Sequence, residues 1–240
     1  MNSQTTFQLG TLYLIPNTLG VYGTDGAQDT LRAVLAPQVV ETTARLQHFV
    51  VETAKVARQF LKAVGTQTPL QELQLTELNV KTPDAAVKDM LAPLLAGHDV
   101  GLLSDAGCPA VADPGARLVE AAHAADVRVV PLVGPSSLLL ALMGSGLNGQ
   151  KFAFHGYLPI DAAARLKEVK RLESESKAHA QTQLFIETPY RNMPLLDTLL
   201  KTLNANTQLC VAADLTLPSE TIRMHRVGEW QKRLKQGQGL

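Results

Sequence analysis

Two loops rich in glycine, proline and other small residues have the composition of a small-molecule site. The first, SDAGCPAVADPG, spans residues 104–115, and the second, VGPSS, spans residues 133–137. Each follows a short apolar run and precedes a helical pattern, which predicts a position at the carboxyl end of a parallel strand, where ligands bind in α/β sheets. Small residues let a ligand approach the backbone closely. We therefore expect the two loops to form two walls of one pocket.

Ordinary strand-to-helix turns also contain glycine and proline, so each loop alone is compatible with a purely structural role. The first loop, however, is longer than the roughly 2–6 residues that are usual for such turns. Asp113 is expected to cap the helix that follows it, with Pro114 in the first helical position. Ser136 or Ser137 is expected to cap the helix after the second loop in the same way, which is compatible with a role in binding.

The hydrophobic pattern predicts an α/β protein with two domains, residues 1–131 and 132–240. The first domain is expected to hold a mainly parallel sheet, and the second a mixed sheet. The strands predicted for the first domain are 11–16, 48–51, 100–103 and 127–131, with helices over 52–64 and from Thr82-Pro83-Asp84 to Gly97. The strands predicted for the second domain are 151–154, 183–187, 208–213 and 220–227, with helices over 135–144, 162–180 and 189–203.

Composition narrows the class of protein without choosing a function. Lys plus Arg and Asp plus Glu number 22 each, so no global basic field of the kind that dominates non-specific nucleic-acid binding exists. The two cysteines provide no disulfide framework and no zinc spacing, and they fit a reducing cytoplasm. The six histidines show no metal spacing either. No apolar stretch approaches the ~18 residues of a membrane span.

Five stretches, in order along the chain, resemble the successive signatures of the tetrapyrrole-methylase superfamily, and most closely those of its 16S rRNA ribose 2′-O-methyltransferases. They are LYLIPNTLG at 12–20, LLSDAGCPAVADPGARLVE at 102–120, VVPLVGPSSLLLALMGSGL at 129–147, FAFHGYLP at 152–159 and LFIETPYRN at 184–192. The resemblance covers most of residues 12–220. It implies an S-adenosylmethionine (SAM)-dependent methyltransferase, a two-domain α/β homodimer with SAM in a cleft between the domains.

The resemblance also implies which residues contact SAM. In the first domain these are Pro16 and the long-loop residues Ser104, Asp105, Ala106, Gly107, Cys108 and Pro109. Ser136 and Ser137 of the second loop are expected to face SAM as well. The second domain is expected to add Phe154, Gly156, Leu215 and Thr216. No metal is expected.

Transfer of a methyl group from a sulfonium is an in-line displacement, so positioning is expected to supply most of the acceleration. A hydroxyl acceptor would gain from a nearby proton acceptor. The candidates for catalysis are Glu187, Tyr190 and Arg191, with Arg191 also suited to a phosphate or carboxylate. Asp25 and Asp105 are further candidate carboxylates. Glu187 at a strand end is equally typical of a loop-bracing residue.

Three departures from the RNA branch leave other functions open. Cys108 stands where that branch usually has threonine, and Glu52-Thr53 retains only part of its Glu-Asp-Thr-Arg stretch. Many members of the branch also carry a small C-terminal domain, and none is expected here because the core pattern ends shortly before Leu240. Because the order of the signatures points to the RNA branch, ribosomal RNA remains the expected acceptor. The alternatives are a tetrapyrrole or other small-molecule acceptor, or a cofactor-binding module without turnover.

The helix predicted over residues 162–180 is the best local candidate for RNA contact. Lys167, Lys170 and Arg171 share one face at spacings of three and four residues. Interleaved glutamates make a solvated helix with surface ion pairs the alternative interpretation.

Overall fold

The computed structural model describes residues 8–20 and 27–237. The described chain forms two compact units that divide between Ser136 and Ser137. The hydrophobic pattern had predicted a boundary five residues earlier, after residue 131. The structure confirms the α/β class. Over the described ranges, no helix combines the length and the hydropathy needed to cross a bilayer.

The described part of the first unit contains a parallel sheet, as predicted, but it has five strands where four were predicted. Its strands are β1 (Thr11–Ile15), β2 (His48–Val51), β3 (Gln74–Glu77), β4 (Val100–Leu103) and β5 (Arg128–Pro131), in the order β3-β2-β4-β1-β5. Ile15 lies opposite Leu103 in the register between β1 and β4. The edge strand β3 was not predicted, because its sequence QLTE is polar and mostly exposed.

The described residues of the first unit form six helices: α1 (Ala27–Val34), α2 (Pro37–Arg45), α3 (Ala54–Val64), α4 (Asp84–Asp89), α5 (Ala92–Leu95) and α6 (Ala116–Ala124). The prediction of one helix from Thr82 to Gly97 is wrong. Pro93 has no backbone N–H to continue the helical hydrogen bonds, and the segment divides into α4 and α5. Pro83 precedes the first residue of α4 and is not its first helical residue.

Buried side chains cover both faces of this sheet, as is usual for parallel sheets between helices. Along β2, Phe49 and Val51 pack into one apolar cluster, and Val50 packs into the other. This alternation follows the two-residue period of a strand. The burial fixes the register of the central strands, and with it the positions of the loops that follow them.

The described part of the second unit contains both parallel and antiparallel pairing, as expected, but in two separate two-stranded sheets and not in one mixed sheet. Strands β6 (Phe152–Tyr157) and β7 (Thr182–Ile186) are parallel, and β8 (Gln208–Ala213) and β9 (Thr221–Arg226) are antiparallel. The helices are α7 (Ser137–Ser145), α8 (Ala162–His179), α9 (Asn192–Thr202) and α10 (Val227–Lys235), with a 3₁₀ turn at Pro189–Arg191. Trp230 of α10 is fully buried, and its indole N–H donates to the Leu209 carbonyl over 2.9 Å.

Candidate functional site

The topology of the first unit places a switch point, where a ligand crevice is expected, at the carboxyl ends of β1 and β4. These two strands are neighbours, yet their connections leave in opposite directions. The chain runs from β1 to β2, which lies beyond β4, whereas it runs from β4 to β5, on the far side of β1. Ligands of open α/β sheets bind at such a switch point. Pro16 follows β1, and Ser104 follows β4, so both lie at this crevice.

The segment after β1 is hydrogen-bonded directly to the first loop. The Asn17 N–H donates to the Gly107 carbonyl over 2.8 Å, and the Gly107 N–H donates to the Thr18 carbonyl over 3.3 Å. The Asn17 side chain adds two bonds, from Nδ2 to the carbonyls of Ser104 and Asp105, each of 3.2 Å. Asn17 was not among the residues predicted from sequence. An asparagine directly after the proline at a strand end was the available signal.

The second loop packs against the same place. A Cβ added at Gly134 would lie 2.1 Å from Cβ of Pro16, which is a steric clash. Only glycine therefore allows the backbone of the second loop to pack this closely against Pro16. The Cys108 thiol lies 3.4 Å from the Pro135 carbonyl oxygen. Burial raises the pKa of the Cys108 thiol, which therefore stays protonated and donates to that oxygen. Pro16, the first loop and the second loop thus lie together at the carboxyl edge of one sheet.

Acidic and hydroxyl side chains from the end of β2 hold Asp105 from the other side. Glu52 Oε2 accepts a hydrogen bond of 3.1 Å from the Asp105 N–H, and the Thr53 hydroxyl donates to Asp105 Oδ2 over 2.7 Å. Burial raises the pKa of Glu52, and the carboxylates of Asp105 and Asp113 act in the same direction. The partly retained Glu52-Thr53 motif is therefore a support for the first loop.

Asp113 does not cap the following helix, which corrects one expectation. Its Oδ1 accepts from the N–H of Ala110 over 2.9 Å and from the N–H of Gly115 over 2.7 Å. The carboxylate therefore links the backbone of residues 110 and 115 within the first loop. Helix α6 begins at Ala116, and Pro114 lies before its first residue. Burial raises the pKa of Asp113, although these hydrogen bonds oppose the shift.

Backbone strain concentrates in two of the predicted contact segments. Among the described residues, six that are not glycine have a positive φ; Ala110 and Ala112 lie in the first loop, and Asp214 and Thr216 lie just after β8. A β-branched residue such as Thr216, at φ 73°, is a genuine outlier. Such strain persists only where the surroundings impose it, and it clusters at functional sites. Leu215, between the two strained residues, is buried.

Strand β6 carries Phe154 and Gly156 at an irregularity. Phe154 pairs with Leu184 and Tyr157 pairs with Ile186, so β6 has one residue more than β7 between these pairs. Gly156 takes up the extra residue with φ 62°. Bulges of this kind re-aim side chains and are common beside active sites.

Glu187, Tyr190 and Arg191 follow β7 in the second unit. Glu187 Oε1 accepts from the Thr188 N–H over 2.8 Å, and Oε2 lies 2.8 Å from an Arg191 guanidinium nitrogen without accepting a hydrogen bond from the described residues. Arg191 also donates to the Leu158 carbonyl over 2.9 Å. Tyr190 is 81% exposed. Because β6 and β7 are parallel, Leu158 and Glu187 lie at the same edge of their sheet.

The predicted SAM contacts therefore fall into two sets, each described within its own unit. Pro16, the loop residues 104–109 and Ser136 belong to the first unit. Ser137, which is the first residue of α7, belongs to the second unit with the residues of β6, β7 and the segment after β8. Asp25 lies outside the described residues. Within the described part of the chain, no group of three or more His, Cys, Asp or Glu side chains could hold a metal ion.

On the basic face of α8, Arg171 is paired with two glutamates. Its guanidinium lies 2.5 Å from a Glu168 carboxylate oxygen and also pairs with Glu175. The Arg171 hydrogen bond lowers the pKa of Glu168. Around Arg171, α8 is therefore an ion-paired surface, which is the alternative interpretation given for this helix from the interleaved glutamates.

Comparison with known proteins identifies relatives over most of the chain. The sequence profile of the Tetrapyrrole (Corrin/Porphyrin) Methylases matches residues 25–231. Proteins named ribosomal RNA small subunit methyltransferase I are 31% identical in Xylella fastidiosa, 30% in Escherichia coli O157:H7 and 34% in Mesorhizobium japonicum. The alignments cover 89%, 92% and 88% of this chain, and 71%, 70% and 66% of those relatives.

Two solved structures share the fold. The methyltransferase CobJ has a TM-score of 0.60 at 19% identity, covering 92% of this chain and 87% of that one. The uroporphyrin-III-C-methyltransferase of Thermus thermophilus has a TM-score of 0.51 at 20% identity, covering 92% and 84%. The signatures, the parallel sheet and these comparisons agree, and the chain is a methyltransferase that belongs to the tetrapyrrole (corrin/porphyrin) methylase family.

Proposed function

We propose that this protein transfers a methyl group from SAM to a ribose 2′-hydroxyl of small-subunit ribosomal RNA. The observation that carries the proposal is the convergence of Pro16, the first loop and the second loop at the switch point between β1 and β4. The relatives named ribosomal RNA small subunit methyltransferase I support the choice of acceptor.

The residues at the crevice fit SAM. A side chain at Gly107 or Gly134 would meet Leu19 or Pro16, so glycine at these positions lets both loops pack closely against the segment after β1. The neighbouring carboxylates of Glu52 and Asp105 suit a cationic ligand and would repel an anionic one. We propose that SAM contacts the first-unit residues Pro16, Ser104 to Pro109 and Ser136, and the second-unit residues Ser137, Phe154, Gly156, Leu215 and Thr216.

SAM supplies an electrophilic methyl group whose bond to sulfur breaks as the acceptor oxygen attacks, leaving a neutral thioether. The contribution of the protein is to orient the acceptor and to receive the hydroxyl proton. We assign the role of proton acceptor to Glu187, whose Oε2 is ion-paired with Arg191 over 2.8 Å and accepts no hydrogen bond of good geometry from the described residues. We assign Tyr190 to contact with the substrate because its ring is exposed, and Arg191 to holding Glu187.

The replacement Glu187→Gln tests this catalytic role. Glutamine keeps an oxygen to accept from the Thr188 N–H, but it has no charge and cannot take a proton. Loss of a general base lowers kcat by about 10²- to 10⁴-fold. We expect that loss with an unchanged Kd for SAM, measured by single-turnover transfer and by calorimetry. An unchanged kcat would show that Glu187 is not the proton acceptor and serves only to hold the loop after β7.

RNA contact by α8 would rest mainly on Lys167 and Lys170, since Arg171 is already paired with glutamates. Replacing both lysines with alanine should reduce the slope of log affinity against log salt by roughly 0.7–0.9 for each phosphate that the protein no longer neutralises. Arg171→Ala should change the slope less. An unchanged slope in the double variant, with transfer intact, would make α8 an ordinary solvated surface.

The decisive experiment compares ribosomal RNA from cells with and without this protein, together with transfer of radiolabelled methyl groups in vitro. The expected result is a ribose methylation that disappears with the protein and returns with the parent chain but not with Glu187→Gln. SAM binding without transfer to ribosomal RNA would overturn the RNA acceptor. It would then favour a small-molecule acceptor or a module that binds without turnover.

We also propose that the protein acts as a homodimer in the cytoplasm. Leu139 and Met143, four residues apart on α7, are 52% and 77% exposed and give that helix an apolar outer face. Exposed apolar surface of this kind is typical of interfaces. A dimer by light scattering is expected, and Met143→Glu should weaken it. A monomer at all concentrations would contradict this proposal.

A further inference from the structure

We propose that Asn17 is a positioning residue that holds the backbone of residues 104–107 in the conformation that receives SAM. The inference rests on the proposed function. It concerns a residue outside the set assigned to contact with SAM, and it assigns Asn17 an action through the first loop.

The Asn17 side chain is only 1% exposed and lies between the ends of two neighbouring strands. Its Nδ2 group donates to the carbonyl oxygens of Ser104 and Asp105, each at 3.2 Å, and its Oδ1 accepts from the Thr18 N–H at 2.8 Å. These neighbours determine the orientation of the amide, because two carbonyl oxygens can face only the NH₂ group. Both hydrogens of that group are therefore committed to the loop backbone.

Among side chains of this length, only an amide can make both of these hydrogen bonds to the loop carbonyls. A hydroxyl group has one hydrogen and cannot donate to two carbonyls at once, and a carboxylate would oppose both of them. If the Asn17 side chain were removed, one buried and one partly buried carbonyl oxygen would each lose a hydrogen-bond donor, and an unsatisfied buried acceptor destabilises the fold more than an exposed one. The side chain thus fixes the orientation of two successive peptide groups.

Asp105 is held by hydrogen bonds from two segments, the one after β1 and the one after β2. Asn17 binds its carbonyl, Glu52 accepts from its N–H over 3.1 Å, and Thr53 donates to its carboxylate over 2.7 Å. The backbone pair between Asn17 and Gly107 fixes the loop two residues later. The Asn17 side chain reaches the first two residues after β4, whereas its backbone bonds reach the loop further on, at Gly107. Its loss should loosen the loop without emptying a large core volume.

The test measures SAM and S-adenosylhomocysteine binding by calorimetry, at a temperature where every variant is fully folded. Asn17→Ala should raise the Kd for both ligands by about 10- to 30-fold, as expected for losing two hydrogen bonds of about 1 kcal/mol each. Asn17→Asp should raise it at least as much at about pH 7.5, since it replaces the donor with a negative charge.

Thr43→Val is the matched control for a simple loss of stability. Thr43 is fully buried in the same unit, and its hydroxyl donates to the Val39 carbonyl over 2.7 Å within α2, away from the first loop. We expect a lower melting temperature with an unchanged Kd. Amide hydrogen exchange supplies a second measurement, and it should accelerate at residues 104–107 in Asn17→Ala and not in Thr43→Val.

Equal Kd values for Asn17→Ala and the parent, with both fully folded, would overturn the positioning role while leaving the proposed function intact. Equal exchange at residues 104–107 would overturn it as well. A parent protein that bound neither ligand would instead refute the proposed function, and this inference would fall with it.

Discussion

The Glu187 carboxylate and the Arg191 guanidinium lie 2.8 Å apart after β7, with only 5% and 17% of their side chains exposed. Arg191 reaches on to the Leu158 carbonyl, and Glu187 accepts from the Thr188 N–H. The pair therefore joins the segment after β7 to the segment after β6. A candidate catalytic carboxylate is held in place by the same contact that offsets its charge.

Arg191→Ala should destabilise the second unit by about 3–5 kcal/mol, because it leaves a buried carboxylate without its cation. Urea unfolding of the purified protein measures this loss. Adding Glu187→Gln to Arg191→Ala should recover part of it, since the uncompensated charge is then removed.

Lys201→Ala is the control, because Lys201 and Asp197 form an ion pair at the same i,i+4 spacing with 74% and 59% exposure. That exposed pair should contribute less than about 0.5 kcal/mol. If Arg191→Ala and Lys201→Ala lowered the free energy of unfolding by similar amounts, the buried ion pair would contribute no more to stability than an exposed one.

Gly107→Val should abolish measurable SAM binding. Gly107 has φ 66°, and a Cβ there would lie 3.1 Å from Leu19 Cδ2 and 3.5 Å from the Pro135 carbonyl oxygen. Gly146→Val imposes the same backbone strain at φ 68°, with nothing within 4 Å of the added Cβ. Each substitution should cost about 1–2 kcal/mol of stability. If calorimetry gave the two variants the same Kd, the first loop would not line the site.

Thr216→Gly should stabilise the protein and weaken SAM binding. Glycine relieves a β-branched residue at φ 73°, a gain of about 1 kcal/mol after the added chain entropy is subtracted. Ala180→Gly is the control, because Ala180 has φ 49° at the end of α8. It should raise the melting temperature similarly and leave the Kd unchanged. A Kd that did not respond to Thr216→Gly would remove this segment from the proposed site.

The parallel sheet was predictable from sequence because its strands are buried on both faces. Val100 to Leu103 and His48 to Val51 are short apolar runs bounded by turn residues, and the structure has strands at these residues. The edge strand Gln74–Glu77 carries no such run, and it pairs only because β2 offers a free edge. The helix Val227–Lys235 was also missed, since its burial depends largely on Trp230.

The contacts within the site were less predictable than its loops. Small residues predicted from sequence alone that residues 104–115 form a ligand loop, and the structure places this segment after β4 at the switch point. The bonds from Asn17 to Ser104 and from Glu52 to Asp105 join residues 87 and 53 positions apart, and no local pattern carries that information. The pairing of Glu187 with Arg191 has helical spacing, yet its burial depends on how the segment after β6 packs.

The acidic support of the first loop makes stability depend on pH. Burial raises the pKa of Glu52 above its usual 4.5, with further contributions from the charges of Asp105 and Asp113. The folded protein therefore binds this proton more tightly than the unfolded chain does. By linkage, the free energy of unfolding falls as pH rises from about 4.5 through the raised pKa.

Glu52→Gln should remove this part of the pH dependence. Glutamine retains an oxygen that can accept from the Asp105 N–H, but it carries no charge to be desolvated. The melting temperature of the variant, relative to the parent, should therefore increase from about pH 4.5 to about pH 7.5. Asp113, whose pKa is also raised by burial, is present in both proteins, so the cost of burying its own charge is common to both. A difference in melting temperature that stayed constant across this range would show that the Glu52 charge adds no cost to the folded state.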